Sequence, residues 1–300
     1  MRQVLCGAIA VVGLLATGCS DSRPATEPSS SSSTSAGPVA SSAQPSSIAP
    51  LRRSDYAPGR HTVSFDVDGV TRTAVLVVPS SLPSPAPLVF AFHGHGGNGN
   101  AFDQRVDIDG LWPDAIVIYP DGLPGHPGLT DPDGSQPGWQ VRPSDEGGRD
   151  VAFFDTMLAT LRDKLPVDND RIFVMGHSNG SGFTALLQLL RGDDIAATAT
   201  LSGQPGAILV NNAPPRSTFM MMGENDPLVP YDTQRASIPL VEARLGIDPT
   251  TAITDGYLTS ERGPGNKELV TYIHPGGHDV PPEVPPLIVD FFKRHALSTG

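Results

Sequence analysis

Three short, largely apolar segments that end in glycine and polar residues constrain the fold most strongly. They are Leu88–Phe92, Ala115–Tyr119 and Arg171–Met175, which run into HGHGGNG, PDG and GHSNG respectively. Apolar runs without polar alternation are typical of strands buried on both faces of a parallel sheet. Because ligands bind beyond the carboxyl ends of such strands, these segments predict a functional site at one edge of the sheet.

Helical and strand patterns alternate along the chain, which predicts the α/β class with a doubly wound, mostly parallel sheet and helices on both faces. Asp68-Gly69 joins an expected antiparallel pair of strands. The expected strands are His61–Val67, Thr71–Val78, Thr198–Leu201, Thr218–Met222 and Leu269–Ile273, in addition to the three above. Apolar residues three and four apart predict helices over Asp150–Leu165, Gly182–Leu190 and Pro286–His295.

The N-terminal part differs in composition from the rest. Residues 1–18 have Arg2 followed by an apolar run too short to span a membrane, which predicts a signal peptide. Ala16–Cys19 resembles a bacterial lipobox, so we expect Cys19 to be lipidated; the alternative is an ordinary secretory signal cut elsewhere. Residues 19–55 are rich in Ser and Pro and predict a disordered tether. Residues 56–300 then form one folded domain, anchored outside the cytoplasm or secreted.

Charge and cysteine content narrow the possible functions. The net charge of −12 argues against nucleic acid or an anionic membrane surface as a partner, because both repel an acidic protein. Cys6 and Cys19 are the two cysteines, and both lie in the leader region. Disulfides and a cysteine nucleophile are therefore excluded from the folded domain. We expect a monomer that contacts the membrane only through the lipid.

The segment Gly176–Gly180, GHSNG, matches the pattern G-x-S-x-G. In this pattern a serine sits in a tight turn between a strand and a helix, and small neighbours allow the strand and helix to pack closely. Here the motif follows an apolar strand and precedes a helical pattern, which is the required context. Ser178 is therefore the predicted nucleophile, the alternative being a plain glycine turn.

A serine nucleophile needs a base, and three late histidines compete for that role. His295 lies in the last turn of a helix, where it offsets the helix dipole. His274 ends a strand directly before Pro275. His278 follows two glycines in a loop that can reach back over the sheet, so His278 is the predicted base.

The acid is expected in the loop after Thr218–Met222. This loop contains both Glu224 and Asp226. Asp226 is preferred because it stands just before a proline, where a tight turn can point it inward, and Glu224 is the alternative. The order Ser178, Asp226, His278 is the nucleophile–acid–base order of α/β-hydrolases.

Stabilising the oxyanion of such a reaction requires two backbone N–H donors. Asn179 follows the predicted nucleophile and supplies one by position. His95, among the glycines after Leu88–Phe92, is expected to supply the other.

The alternative interpretation of His93 and His95 is a metal centre, with His177 as a third ligand. No acidic residue nearby continues the pattern as metallohydrolase motifs do. Asp131–Gly134 resembles the start of a calcium loop but lacks the terminal carboxylate. We therefore expect neither a metal nor an organic cofactor.

Taken together, these motifs resemble a known family. HGHGGNG, YPDG, Trp139, Asp150-Val151 before a helix, GHSNG, GENDPLVPY and GGHDVPPE occur in the order found in secreted polyhydroxybutyrate depolymerase and feruloyl-esterase-like α/β-hydrolases. The resemblance spans about residues 60–297. It implies the α/β-hydrolase fold and a carboxylester hydrolase with Ser178, Asp226 and His278 as its triad.

Some features depart from that family. The region after His278 reads DVPP where relatives often have a tryptophan. We also expect no appended polymer-binding domain. Trp139, in the insertion Leu123–Gly148, is a candidate substrate-binding residue, with a place in the core as the alternative.

The expected function is an extracytoplasmic serine esterase acting through an acyl-enzyme. Its substrate would be a small, oligomeric or polysaccharide ester: a feruloyl or acetyl ester, or a polyhydroxybutyrate oligomer. Two alternatives remain at this point: a cell-envelope acyltransferase with the same triad, and a non-catalytic lipoprotein that binds a ligand.

Overall fold

A computed structural model describes residues 56–125 and 131–297 of the chain. The predicted signal peptide, the lipidation of Cys19 and the tether up to residue 55 lie outside these residues. Among the residues described, no helix is both long and apolar enough to cross a membrane.

The described residues form one ten-stranded sheet with the order β1-β2-β4-β3-β5-β6-β7-β10-β9-β8. Strands β4, β3, β5, β6, β7 and β10 pair in parallel, and an antiparallel pair of strands flanks them on each side. The strands are β1 (Gly59–Val67), β2 (Val70–Val78), β3 (Ala86–Phe92), β4 (Ile116–Pro120), β5 (Val167–His177), β6 (Ala197–Leu201), β7 (Ser217–Gly223), β8 (Ile253–Asp255), β9 (Leu258–Arg262) and β10 (Glu268–His274).

Helices connect the parallel strands. Those described are α1 (Gly99–Val106), α2 (Ile108–Leu111), α3 (Arg149–Lys164), α4 (Asn179–Arg191), α5 (Ala207–Asn212), α6 (Tyr231–Arg235), α7 (Ile238–Leu245) and α8 (Val284–Lys293), with short 3-10 turns at Asp145–Gly148 and Pro249–Thr251. The predicted mostly parallel α/β architecture is thus confirmed, and so is each predicted strand and helix within a few residues. The sequence patterns did not predict α1, α2, α5 to α7, β8 or β9.

The sheet is buried on both faces. In β3, Leu88, Phe90 and Phe92 belong to a core cluster shared with α3 and α4. The alternate residues Val89 and Ala91 belong to a second cluster shared with α1, α2 and α8. Opposite faces of one strand therefore enter two separate cores, which explains why this strand is apolar throughout.

A buried ion pair joins β2 to α3. Arg72 and Asp150 approach to 3.0 Å, and at most 1% of either side chain is exposed. The guanidinium of Arg72 also lies over the ring of Phe153, 4.2 Å from its centroid. Asp150 in turn accepts a hydrogen bond from the backbone N–H of Gln140 at 2.8 Å. The ion pair therefore connects the sheet to the insertion that precedes α3.

Candidate active site

Ser178 lies in a strained turn between β5 and α4. Its backbone has φ 55° and ψ −116°, a conformation that residues with side chains rarely adopt. A Cβ on Gly176 would lie 2.2 Å from the carbonyl oxygen of Gly180, and a Cβ on Gly180 would lie 2.4 Å from that of Phe92. Both flanking glycines are thus required by close backbone contacts, as the motif predicts.

Asp226 and His278 are joined directly. The Nδ1 atom of His278 lies 2.8 Å from Oδ2 of Asp226, whose side chain is fully buried. Because the ionised carboxylate only accepts hydrogen bonds, this contact places the imidazole proton on Nδ1 and leaves Nε2 free to accept another. The loop of His278 passes close to the end of β7: a Cβ on Gly223 would lie 2.1 Å from the carbonyl oxygen of Gly277.

The carboxylate of Asp226 is held by four hydrogen bonds. Besides His278, its partners are the backbone N–H groups of Leu228 (2.8 Å) and Val229 (2.9 Å) and the side-chain amide of Gln234 (2.9 Å). Burial favours the neutral acid, but the hydrogen bonds from His278, Val229 and Leu228 outweigh it and lower the pKa of Asp226. Asp226 is therefore a fixed anion beside the imidazole.

The alternative candidates for the acid and the base do not line the cavity that contains Ser178 and His278. Glu224 is exposed and its backbone N–H bonds to His274. The ring of His274 accepts a hydrogen bond from the N–H of Gly276. His295 is buried against the end of α8 and bonds to the carbonyl of Phe291.

The backbone N–H groups of His95 and Asn179 belong to residues that line the same cavity as Ser178 and His278. Asn179 is the first residue of α4, where an N–H has no acceptor within the helix. In the described part of the chain, no carbonyl or side chain accepts a hydrogen bond from either amide. Both N–H groups are therefore without an acceptor among the described residues.

Trp139 lies in the core and does not line this cavity, which contradicts its predicted role as a substrate-binding residue. Its side chain is fully buried and packs between Phe92 and Phe183, at ring distances of 5.2 and 5.4 Å. Its indole N–H donates to the carbonyl of His93 at 2.9 Å. The side-chain amide of Asn179 both accepts from the N–H of Trp139 and donates to its carbonyl, at 2.7 and 2.9 Å. Trp139 therefore anchors the insertion to the turn that carries Ser178.

The three histidines considered as metal ligands each have a separate partner. Nε2 of His93 accepts from the N–H of Gly122 at 2.9 Å. Nε2 of His95 lies 3.0 Å from Asp131, and Nε2 of His177 lies 2.7 Å from the carbonyl of His278. Within residues 56–125 and 131–297, no group of three potential ligands is arranged to hold a metal ion.

His177 is a site residue that the sequence did not reveal as such. Burial lowers its pKa to about 4, against the opposing effect of its hydrogen bond to the carbonyl of His278. The neutral ring donates through Nε2 and packs 4.9 Å from the ring of His278. Gln234 was missed as well. A buried amide eight residues after Asp226 carries no recognisable signal, because only the folded loop brings the two side chains together.

A cavity of about 1120 Å³ opens above these residues. Its lining includes Ser178, His278, His95 and Asn179, together with apolar side chains such as Leu228. The side chains of Ser178 and His278 thus lie beside an accessible space for a ligand, at the carboxyl ends of the parallel strands.

Comparison with curated proteins finds partial similarities. No family model matches the chain. Feruloyl esterase D of Neurospora crassa is 32% identical over 95 residues, which are 32% of this chain and 31% of that protein. Feruloyl esterase C of Emericella nidulans is 29% identical over 156 residues, covering 50% of this chain and 56% of that protein. The matches therefore span from about a third to somewhat over half of the relatives' own lengths.

Solved structures match over more of the chain. The acetyl xylan esterase from Aspergillus awamori superposes with a TM-score of 0.61 at 16% identity, over 79% of this chain and 99% of that one. A thermostable esterase gives a TM-score of 0.56 at 17% identity, over 79% of this chain and 63% of that one. The chain has the α/β-hydrolase fold.

An α/β-hydrolase presents its nucleophile at a strand-to-helix turn and takes its acid and base from later loops. In this chain the turn carries Ser178, and the loops after β7 and β10 carry Asp226 and His278. The same fold supports several chemistries, so the activity has to be argued from the site.

Proposed function

We propose that this protein is a carboxylic ester hydrolase with Ser178 as nucleophile, His278 as general base and Asp226 as the acid that orients it. The observation that carries the proposal is the 2.8 Å contact between His278 and buried Asp226 beside the cavity that exposes Ser178. The curated relatives named as feruloyl esterases and the solved esterases of the same fold support it.

The proposed reaction has two steps. The hydroxyl of Ser178 attacks the ester carbonyl carbon while its proton passes to Nε2 of His278. The carbonyl oxygen becomes an oxyanion and accepts hydrogen bonds from the N–H groups of His95 and Asn179, each worth about 3 kcal/mol of transition-state stabilisation. The carbon–oxygen bond to the alcohol then breaks, and the imidazolium returns the proton to the alcohol.

Water completes the cycle by the same route. His278 takes a proton from water, the hydroxyl attacks the acyl-enzyme carbonyl, and the bond to Ser178 breaks as the serine regains a proton. Asp226 remains ionised throughout and stabilises the charged imidazole. No step requires a cofactor.

The proposed substrates are esters of phenolic or acetic acid with carbohydrate. The names of the relatives support this class. A cavity of about 1120 Å³ exceeds what an acetyl group alone would fill. A polyhydroxybutyrate oligomer is supported only by the resemblance of the sequence motifs.

An extracytoplasmic location is also part of the proposal. Its support is the apolar leader of residues 1–18 and the lipobox-like Ala16–Cys19. A lipid on Cys19 would hold the enzyme, as a monomer, at the membrane surface.

Hydrolysis of 4-nitrophenyl acetate and butyrate by the native protein, Ser178→Ala and Ser81→Ala tests the activity. Ser81 is an exposed serine outside the cavity and serves as the matched control. We expect turnover by the native protein and Ser81→Ala, and a loss of at least about a thousandfold in kcat for Ser178→Ala.

A fluorophosphonate probe, located by mass spectrometry, tests the nucleophile independently of the substrate. The adduct should form on Ser178 and should be absent from folded Ser178→Ala. Full activity in Ser178→Ala, or a folded native protein that neither turns over ester nor takes the label, would refute the proposal. If activity is found, methyl ferulate, acetylated xylan and hydroxybutyrate oligomers would then rank the substrates.

A further inference from the structure

The cavity differs in charge from the protein around it. The chain carries 32 Asp and Glu residues against 20 Lys and Arg. Among the described residues that line the cavity, however, the fixed charges are those of Arg105 and Arg142, and no Asp or Glu contributes to the lining. Positive charges in the pocket attract an anionic ligand, although the acidic surface around the pocket repels one.

The two arginines are not equivalent. Arg105 donates to Asp279 at 2.8 Å, so its charge is partly balanced within the protein. Arg142 is exposed, and in residues 56–125 and 131–297 its guanidinium is not paired with a carboxylate. Arg142 is therefore the cation available to a ligand.

The backbone of Arg142 is held in place although its side chain is free to bind. Its N–H donates to Asp145 at 2.9 Å, and its carbonyl accepts from the side-chain amide of Gln140 at 3.0 Å. Gln140 is itself bound to buried Asp150. The neighbouring Val141 lies close enough to α4 that a Cβ on Gly182 would come within 2.8 Å of its side chain. Arg142 thus projects from a fixed segment beside the helix that begins after Ser178.

We propose that the cavity accepts an ester that carries a carboxylate, in its acyl or its alcohol part, and that Arg142 binds this carboxylate. The inference rests on the proposed hydrolase function and adds the class of substrate. The planar guanidinium can form two parallel hydrogen bonds to a carboxylate, which makes arginine better suited than lysine to this contact. Arg142 acts in binding and selectivity, and the chemical step belongs to the residues described above.

Two matched pairs of chromogenic esters test the inference and locate the anion. Mono-4-nitrophenyl adipate and its methyl ester differ in charge on the acyl side. The 3-carboxy-4-nitrophenyl and 4-nitrophenyl esters of butyric acid differ in charge on the alcohol side. The measured quantity is the ratio of kcat/KM for the charged ester to that for the neutral one, in each pair.

The proteins compared are the native form, Arg142→Gln, Arg142→Lys and Arg262→Gln. Arg262 lies at the end of β9, is exposed and does not line the cavity, so Arg262→Gln changes the net charge equally. We expect the ratio for one pair to fall about tenfold in Arg142→Gln. It should recover in part in Arg142→Lys and match the native value in Arg262→Gln. About 0.5 M sodium chloride should reduce the native preference through screening.

An unchanged ratio in both pairs for Arg142→Gln would overturn the inference while leaving the esterase proposal intact. An equal fall in Arg262→Gln would also overturn it, because net charge would then explain the preference. If the folded native protein hydrolysed none of the four esters, the proposed function itself would fail.

Discussion

Replacing Asp150 by asparagine should destabilise the protein far more than the same replacement at Asp155, although both lie in α3 and both pair with an arginine. The pair of Asp150 with Arg72 is almost completely buried. In the pair of Asp155 with Arg191, 42% and 33% of the side chains are exposed, at a separation of 2.6 Å. Breaking a buried pair leaves an uncompensated charge out of water, whereas exposed pairs contribute little.

The expected magnitude follows from what remains around Arg72. Removing one partner of a buried pair costs about 3–5 kcal/mol. Burial already lowers the pKa of Arg72, against the opposing effect of Asp150, so the carboxylate is what keeps the buried cation tolerable. The carbonyl of Asp121 at 3.2 Å and the ring of Phe153 would still contact the guanidinium. We therefore expect about 3 kcal/mol for Asp150→Asn and less than about 1 kcal/mol for Asp155→Asn.

The asparagine is chosen because it isolates the charge. Its amide oxygen can still accept the hydrogen bond from the N–H of Gln140, so the loss reports on the charge of Asp150, which lies 3.0 Å from Arg72 and 3.5 Å from Arg149. The double variant Arg72→Met/Asp150→Leu should recover much of the lost stability, because buried pairs are often replaced by apolar residues without loss.

Urea denaturation and thermal unfolding provide the measurement. For a domain of this size, each kcal/mol lowers the Tm by about 2–4 °C, so Asp150→Asn should unfold roughly 6–12 °C below the native protein. Asp155→Asn should stay within about 4 °C of it. Equal shifts for the two variants, or a shift below about 2 °C for Asp150→Asn, would refute the argument that burial decides the strength of this pair.

Two further predictions concern the turn that carries the predicted nucleophile. Gly176→Ala should abolish activity and cost about 1–3 kcal/mol in urea denaturation, because the new methyl would lie 2.2 Å from the carbonyl oxygen of Gly180. Gly206→Ala, whose methyl would meet nothing within 4 Å, is the control for stability only, because Gly206 lines the cavity. An active Gly176→Ala variant would contradict the packing argument. His177→Gln should reduce the loss of stability on acidification between pH 6.5 and about 4, because the native ring stays neutral there while the unfolded chain takes up a proton. The contribution of His177 to native stability is complete above pH 6.5 and declines as the pH falls towards about 4. The urea midpoint should therefore change less across this window for the variant than for the native protein. Equal acid sensitivity of the two proteins would count against this prediction.

The site residues could be predicted where steric requirements impose a local sequence pattern. GHSNG identified the turn at Ser178 because the two glycines are imposed by contacts with backbone only a few ångströms away. His278 and Asp226 were placed by chain order and by the turns that precede them, and the structure brings them into contact. Trp139 was misplaced because an aromatic residue in a polar insertion looks the same whether it faces a ligand or the core.

The sequence by itself determined the class of the fold, because strands apolar on both faces and helices of regular period leave few other arrangements. It also determined which chain segments end at the functional edge of the sheet. Only the tertiary structure decided which side chains meet there: the Arg72–Asp150 pair, the contact of His177 with the loop of His278, and the position of Arg142 in the cavity. These contacts join residues far apart in the chain, and their energy depends on burial and distance, which no local pattern encodes.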